Sequence, residues 1–274
     1  MSECGTFPLD RQQVFGLDFV VNDDPAHTRV VDALLAHCPS SCAGDALGDD
    51  LLPLVVTPNV DLLVKLRRDD WAEDLESFRR AAFVVADGAP VVAVANRLDR
   101  HLGVRTPGSD LFPLIWRRAR NDELPVTVVA PTDIVAKRLH EEHPDARVLV
   151  APRFDPDDEV ALAAFADEVG SLTRLGDAAP VVIFSIGNPV QTRLARLLLD
   201  SWPTSAPKPL VCCFGASAEL YLGIVPRAPE WFQRHGMEWV YRFGKEPKRL
   251  FRRYFVDDVA FLRIAFDEYR KTRR

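Results

Sequence analysis

Short β-branched runs alternate with amphipathic stretches along most of this 274-residue chain, and that alternation limits its fold more than any other feature. Val14–Val20, Leu54–Val56, Phe83–Ala86, Val126–Val129, Arg147–Val150, Val181–Ser185 and Leu210–Phe214 read as strands. Between them, Ala26–His37, Asp61–Arg68, Leu75–Arg80, Leu111–Arg120, Thr132–His143, Asp158–Val169 and Pro189–Asp200 carry apolar residues at helical spacing. This order predicts a mainly parallel, three-layered α/β architecture. An apolar fraction of 47% is enough for a full core, and 27% charged residues with only 14 Gly exclude a disordered or fibrous chain. Ala43–Asp50 and the Pro-rich Ser201–Pro209 read as surface loops, and no internal repeat is visible.

The cysteines narrow the setting. Cys4, Cys38, Cys42, Cys212 and Cys213 are odd in number and poorly spaced for a disulfide framework. Cys212 and Cys213 sit in an apolar run and read as reduced core residues of a cytosolic protein. Cys38 and Cys42 have no second ligand pair nearby, so no zinc site is expected. No segment approaches the roughly 18 apolar residues of a membrane span, and the N-terminus lacks a basic-then-apolar leader pattern. The net charge of −6 is unevenly spread: Arg242–Arg274 holds eleven Lys or Arg against five Asp or Glu, a balance of +6 that leaves −12 elsewhere. An acidic body with a basic tail argues against nucleic acid as a partner and suits a peripheral membrane protein. The same tail opens with a dense Arg, Trp and Tyr block from Arg227 to Tyr254, residue types suited to a diphosphate, a membrane surface, or both.

In open α/β sheets, ligands gather outside the carboxyl ends of strands. Four strand exits fit that position: Thr57-Pro58-Asn59, Asp87-Gly88, Gly187-Asn188-Pro189 with Gln191, and Gly215-Ala216-Ser217. Each alone reads as an ordinary turn; four in one sheet predict a cleft.

Read in order with the C-terminal block, these turns resemble the WecG/TagA/CpsF family of bacterial glycosyltransferases. The resemblance rests on Phe15-Gly-Leu-Asp-Phe19, Thr57-Pro-Asn-Val-Asp61, Ala86-Asp-Gly88, Val104-Arg105 with Gly108-Ser-Asp110, Gly187-Asn-Pro-Val-Gln191, Gly215-Ala-Ser217 and Arg227 to Tyr254. The chain departs from the family pattern in three places. Thr192 follows Gln191 where the family usually has Glu, Ala130-Pro131 replaces a Gly-rich turn, and Asp145–Ala179 matches poorly.

The resemblance implies a Rossmann-like fold of mainly parallel sheets in two subdomains, with a core over residues 1–226 and a helical C-terminal appendage over 227–274. It also implies inverting transfer of a sugar from a UDP donor (N-acetylmannosamine, its uronic acid, or glucose) to a polyprenyl-diphosphate-linked saccharide, with neither metal nor cofactor. Asp87, at a strand end before Gly88, is then the general base, an Asx turn being the alternative. Thr57 and Asn59 suit sugar hydroxyls, or cap a helix; Arg105 pairs with a phosphate, or is a surface residue. Gly187, Gln191, Gly215 and Ser217 line the donor side. The acidic pairs Asp23-Asp24, Asp49-Asp50, Asp69-Asp70, Asp157-Asp158 and Asp257-Asp258 follow no convincing buried strand and read as caps and solvated faces. Arg242, Arg249 and Arg252 share a helical face and would neutralise the leaving diphosphate, or bind the membrane surface.

After Asp257 the sequence predicts an amphipathic helix with Phe261, Leu262, Ala265, Phe266 and Tyr269 on one face and a basic end. The expectation is therefore a cytoplasmic enzyme held peripherally at the inner face of the cell membrane, acting in surface polysaccharide biosynthesis; a homo-oligomer is compatible with it. Two rivals stand beside it. One is a nucleotide-sugar-modifying enzyme, weakened by the absence of Gly-x-Gly-x-x-Gly after the first strand. The other is a non-catalytic, membrane-docked scaffold, for which Thr192 is the one hint.

Overall fold

The computed structural model describes residues 9–36, 50–174, 180–226 and 260–272, with the single positions 229, 232 and 244. Eight strands form one sheet: β1 (Arg11–Val14), β2 (Leu17–Val20), β3 (Leu52–Val56), β4 (Ala81–Val84), β5 (Val126–Ala130), β6 (Arg147–Val150), β7 (Val181–Phe184) and β8 (Leu210–Cys213). Their spatial order is β1-β2-β4-β3-β8-β7-β5-β6, and among the described residues only β1 runs antiparallel to its neighbour. The α/β, Rossmann-like expectation is met. Its two halves, β1 to β4 and β5 to β8, share one continuous sheet joined where β3 pairs with β8.

Helices cover both faces. The core on one face includes α2 (Val60–Lys65), α3 (Ala72–Arg80), α4 (Ala89–Arg97), α7 (Glu159–Thr173), α8 (Val190–Asp200) and α10 (Ala260–Thr272). The opposite core includes α1 (Thr28–Ala36), α5 (Gly108–Asn121), α6 (Asp133–Glu142) and α9 (Ser217–Tyr221). Strand side chains alternate between the two: Leu54 and Val56 join the first core and Val55 the second. Because both faces are covered, β3, β4, β5, β7 and β8 are buried throughout, which explains their unbroken apolar runs. Cys212 and Cys213 are buried thiols inside β8 that form no disulfide, and burial pushes the Cys213 thiol well above its usual range. Cys4, Cys38 and Cys42 lie outside the described residues.

Three readings of the sequence need correction or completion. Val14–Val20 is a hairpin rather than one strand: Phe15 and Gly16 take φ of 53° and 73° and pair Val14 with Leu17. Positive φ at both central residues is the geometry that matches strand twist, normally signalled by Asn-Gly rather than Phe-Gly. Here the Phe15 ring is buried 5.5 Å from that of Phe261, and Arg67 Nη2 donates to the Phe15 carbonyl at 2.8 Å. Second, Ala89–Arg97 is a helix, with Pro90 in its first turn, where a missing N–H costs nothing. Third, the apolar face expected on α10 is two faces. Phe261 packs inward with Ile264, while Leu262, Phe266 and Tyr269 point outward, 68%, 58% and 37% exposed.

One buried charge pair clamps α3 to α8. Asp74 is almost fully buried and Arg193 donates to its Oδ2 through both Nε and Nη2 at 3.3 Å, while Nη1 reaches Asp157 at 3.0 Å. Burial holds the Asp74 carboxyl above its ordinary range, and Arg193 only partly offsets this. Replacing Arg193 with Met would strand that carboxylate, at a cost of about 3–5 kcal/mol near neutral pH. A carboxyl raised on folding stabilises the folded state as pH falls, so the loss should shrink when denaturation is repeated at lower pH. An equal loss at both pH values would contradict this assignment.

Candidate active site

The candidate site lies outside the carboxyl ends of the two central strands, β3 and β8. β3 and β8 pair in register, Leu54 with Val211 and Val56 with Cys213, while β4 and β7 flank them. The chain order reverses here, so exits from both halves of the protein meet.

On the β3–β4 side the exits are tied through the backbone. Val85 N–H donates to the Val56 carbonyl at 3.0 Å, and Asp87 N–H to the Pro58 carbonyl at 3.2 Å. A Cβ on Gly88 would lie 3.6 Å from Asn59 Cα, so Asp87-Gly88 runs alongside Pro58-Asn59. On the other flank Thr106 N–H donates to the Ala86 carbonyl at 2.7 Å, which seats Arg105 next to the same segment. Thr57, Asn59, Asp87 and Arg105 thus come from three neighbouring segments; Asp87 and Arg105 are half-buried. Thr57 is buried, with its hydroxyl 3.5 Å from the Cys213 carbonyl. Asn59 caps α2, its Oδ1 accepting from Leu62 N–H at 3.1 Å. That oxygen is committed to the helix.

The β7–β8 side is held by side chains. Ser185, which closes β7, donates to the Gly215 carbonyl at 2.8 Å and accepts from Ala218 N–H at 3.0 Å. Gln191 is buried, and its Oε1 accepts from Gly215 N–H at 3.0 Å. Ser217 donates its hydroxyl to the Phe214 carbonyl. Gly215 is therefore pinned from both ends at φ +60°, and a Cβ there would meet nothing within 4 Å. Gly187 is equally open. At these two glycines the space a side chain would fill is empty, while Gln191 and Ser217 hold the shape of the turns. At Gly108 the requirement is the opposite: a Cβ would sit 3.1 Å from Phe214 Cα, so α5 begins directly against the β8 exit. Thr192, the departure from the family pattern, donates to Asn188 Oδ1 across the cis Asn188–Pro189 turn.

Three features escaped sequence reasoning. Ser185 reads in the sequence as the last residue of a strand, and its signal is a polar side chain ending an apolar run. Glu219, in the first turn of α9, is held above the usual carboxylate range by burial, a common property of functional acids. Asn22, His27 and Thr106 form a buried polar cluster behind Arg105, with no local signal in the sequence. Among the described residues, no three His, Cys, Asp or Glu side chains gather as a metal site would require. The acidic pairs that are described serve elsewhere: Asp158 caps α7, Asp70 pairs with Arg68, Asp157 with Arg193 and Asp23 with His101. Arg242, Arg249 and Arg252 lie outside the described residues.

Residues 42–274 match the family model for the glycosyl transferase WecG/TagA/CpsF family. The match spans all four strand exits and the C-terminal block; Phe15–Phe19 lies ahead of it.

Gln191 offers a direct check on the clasp. Gln191→Leu should leave the Gly215 N–H without its acceptor and cost about 1–3 kcal/mol in chemical denaturation, whereas Gln191→Glu, which keeps an acceptor oxygen, should recover most of it. Undiminished stability in Gln191→Leu would show that the bond to Gly215 does not matter.

Proposed function

The chain belongs to the WecG/TagA/CpsF family of glycosyltransferases, and from that premise we propose that it is an inverting, metal-independent transferase. It would move a sugar from UDP to a polyprenyl-diphosphate-linked saccharide in surface polysaccharide assembly. The donor sugar would be N-acetylmannosamine, its uronic acid or glucose. The observation supporting this is the meeting of an acid at a β4 exit with open glycine turns at the β7 and β8 exits, across one sheet junction.

Inversion by direct displacement needs a base on the face opposite the departing diphosphate. Asp87 takes the proton of the acceptor hydroxyl as its oxygen attacks the anomeric carbon. The bond from that carbon to the diphosphate oxygen breaks, and UDP leaves with the bonding pair. Thr57 and Asn59 sit beside Asp87 to orient sugar hydroxyls, and Arg105 faces developing charge on the phosphates. Gly187 and Gly215 admit the donor against their backbone, with Gln191 and Ser217 setting those turns. Arg242, Arg249 and Arg252 add cations for the leaving group from the C-terminal block.

The acceptor's lipid explains α10. No helix among the described residues is long and apolar enough to cross a membrane. α10 instead presents Leu262, Phe266 and Tyr269 outward at i, i+4, i+7 spacing, with Arg263, Arg270 and Lys271 on the same helix. An apolar stripe with basic neighbours suits the interface of an anionic membrane, here the inner face of the cell membrane.

Asp87→Asn should lower turnover about 10²–10⁴-fold while binding of the UDP-sugar, chosen by a thermal-shift screen, stays within a few-fold. Turnover near that of the native enzyme would remove Asp87 from the mechanism. Leu262→Ser with Phe266→Ser should weaken sedimentation with anionic liposomes yet leave transfer to a short, water-soluble acceptor in place. Undiminished liposome binding would mean that α10 does not dock.

A further inference from the structure

We propose that His27 is a positioning residue: neutral, with its proton on Nε2, it fixes the loop carrying Arg105 through Asn22 and Thr106. The proposal rests on the functional reading above, in which Arg105 and Asp87 share the site.

The hydrogen bonds fix the chemistry of each member. Asp24 N–H donates to Asn22 Oδ1 at 3.0 Å, and a backbone amide can only donate, so the Asn22 amide has one orientation. Its Nδ2 therefore faces the other way, 2.8 Å from Thr106 Oγ1 and 2.8 Å from His27 Nδ1. The two hydrogens of Nδ2 are spent on these two atoms. Nδ1 of His27 must then accept, which leaves the ring proton on Nε2, 3.7 Å from Asp110 Oδ2. Thr106, having accepted, donates its own hydroxyl to the Val104 carbonyl at 3.3 Å.

Backbone bonds brace the loop on both sides of Arg105. Val104 N–H donates to the Asn22 carbonyl at 2.6 Å, and Thr106 N–H to the Ala86 carbonyl at 2.7 Å, so Arg105 is held between two anchored neighbours. Gly103 admits this approach because a Cβ there would lie 2.0 Å from the Asn22 oxygen. Asn22, His27 and Thr106 are 3%, 6% and 1% exposed, so water cannot replace a lost bond cheaply. His27 itself stands at φ +59°, a left-handed conformation uncommon outside glycine, though His adopts it more readily than most residues. A buried, left-handed histidine with a fixed tautomer, one residue removed through Asn22 from the Arg105 loop, is more than core filling requires.

Two substitutions separate the ring nitrogens. In His27→Asn the new Oδ1 stands where Nδ1 stood and still accepts from Asn22, and Asn tolerates a left-handed backbone. In His27→Gln the polar end reaches the Nε2 position toward Asp110, and the acceptor for Asn22 is lost. Thr106→Val breaks the next link without any change at residue 27. With the UDP-sugar found by screening and a short soluble acceptor, His27→Gln and Thr106→Val should each lower kcat about 10–100-fold through a misplaced loop, with KM within a few-fold and His27→Asn within about threefold of native. Their double variant should be no slower than the slower single, as expected for one shared path. A second readout needs no turnover: the side-chain Nε–H signal of Arg105 in ¹⁵N spectra, assigned with Arg105→Lys and recorded with UDP. It should move in His27→Gln and Thr106→Val and stay in His27→Asn. Additive losses, an Asn variant as impaired as Gln, or an unmoved Arg105 signal would overturn the proposal. If no UDP-sugar is turned over by the native protein, the functional reading fails, and the Arg105 signal still decides the role of His27.

Discussion

The pairing of β3 with β8 is the constraint on which the candidate site depends. Thr57 and Cys213, which meet across it, are 156 positions apart in the chain, so no local turn can impose their register. Two parallel strands buried on both faces are instead fixed by packing, because a one-residue slip would turn Leu54 and Val56 into the wrong core. Once that register is set, the exits of β3, β4, β7 and β8 converge without further choice. The site is a product of sheet topology first and of its side chains second.

Many polar atoms around the strand exits are occupied in shaping them. Ser185, Gln191, Ser217 and the Oδ1 of Asn59 all bond to nearby backbone, and Thr106 and Asn22 do the same for the loop behind Arg105. What remains open is the space a Cβ would fill at Gly187 and Gly215, while Asp87 at the β4 exit is half-buried. Fixed dipoles held by buried partners need little rearrangement as charge develops, which is the usual source of catalytic stabilisation. A transferase that leaves charge on a diphosphate benefits from such rigidity.

The strands of the sheet were legible because parallel strands covered on both faces leave continuous apolar runs, and six of the seven expected runs became single strands. The seventh hid a hairpin because Phe15-Gly16 reaches a left-handed turn through burial of Phe15 rather than through turn-forming residues. Ala89–Arg97 was missed because Pro90 and three valines obscure a helix that tertiary packing imposes. Within the site, position was readable and partnership was not. Gln191 and Asn59 were legible as residues at helix starts, but their bonds to Gly215 and Leu62 depend on where the turns fold back. The Asn22–Thr106 bond joins residues 84 positions apart, and no periodicity or motif announces it.

The central claim is displacement at the anomeric carbon, driven by protein groups at this sheet junction. Its most direct test is the anomeric configuration of the product formed from a UDP-sugar and a diphosphate-linked saccharide on a short soluble prenyl chain, assigned by proton couplings. The reaction should be run in excess chelator. A product of inverted configuration, formed with stoichiometric UDP release under those conditions, is what the account predicts. Retention of configuration, or transfer that requires added magnesium or manganese, would contradict it.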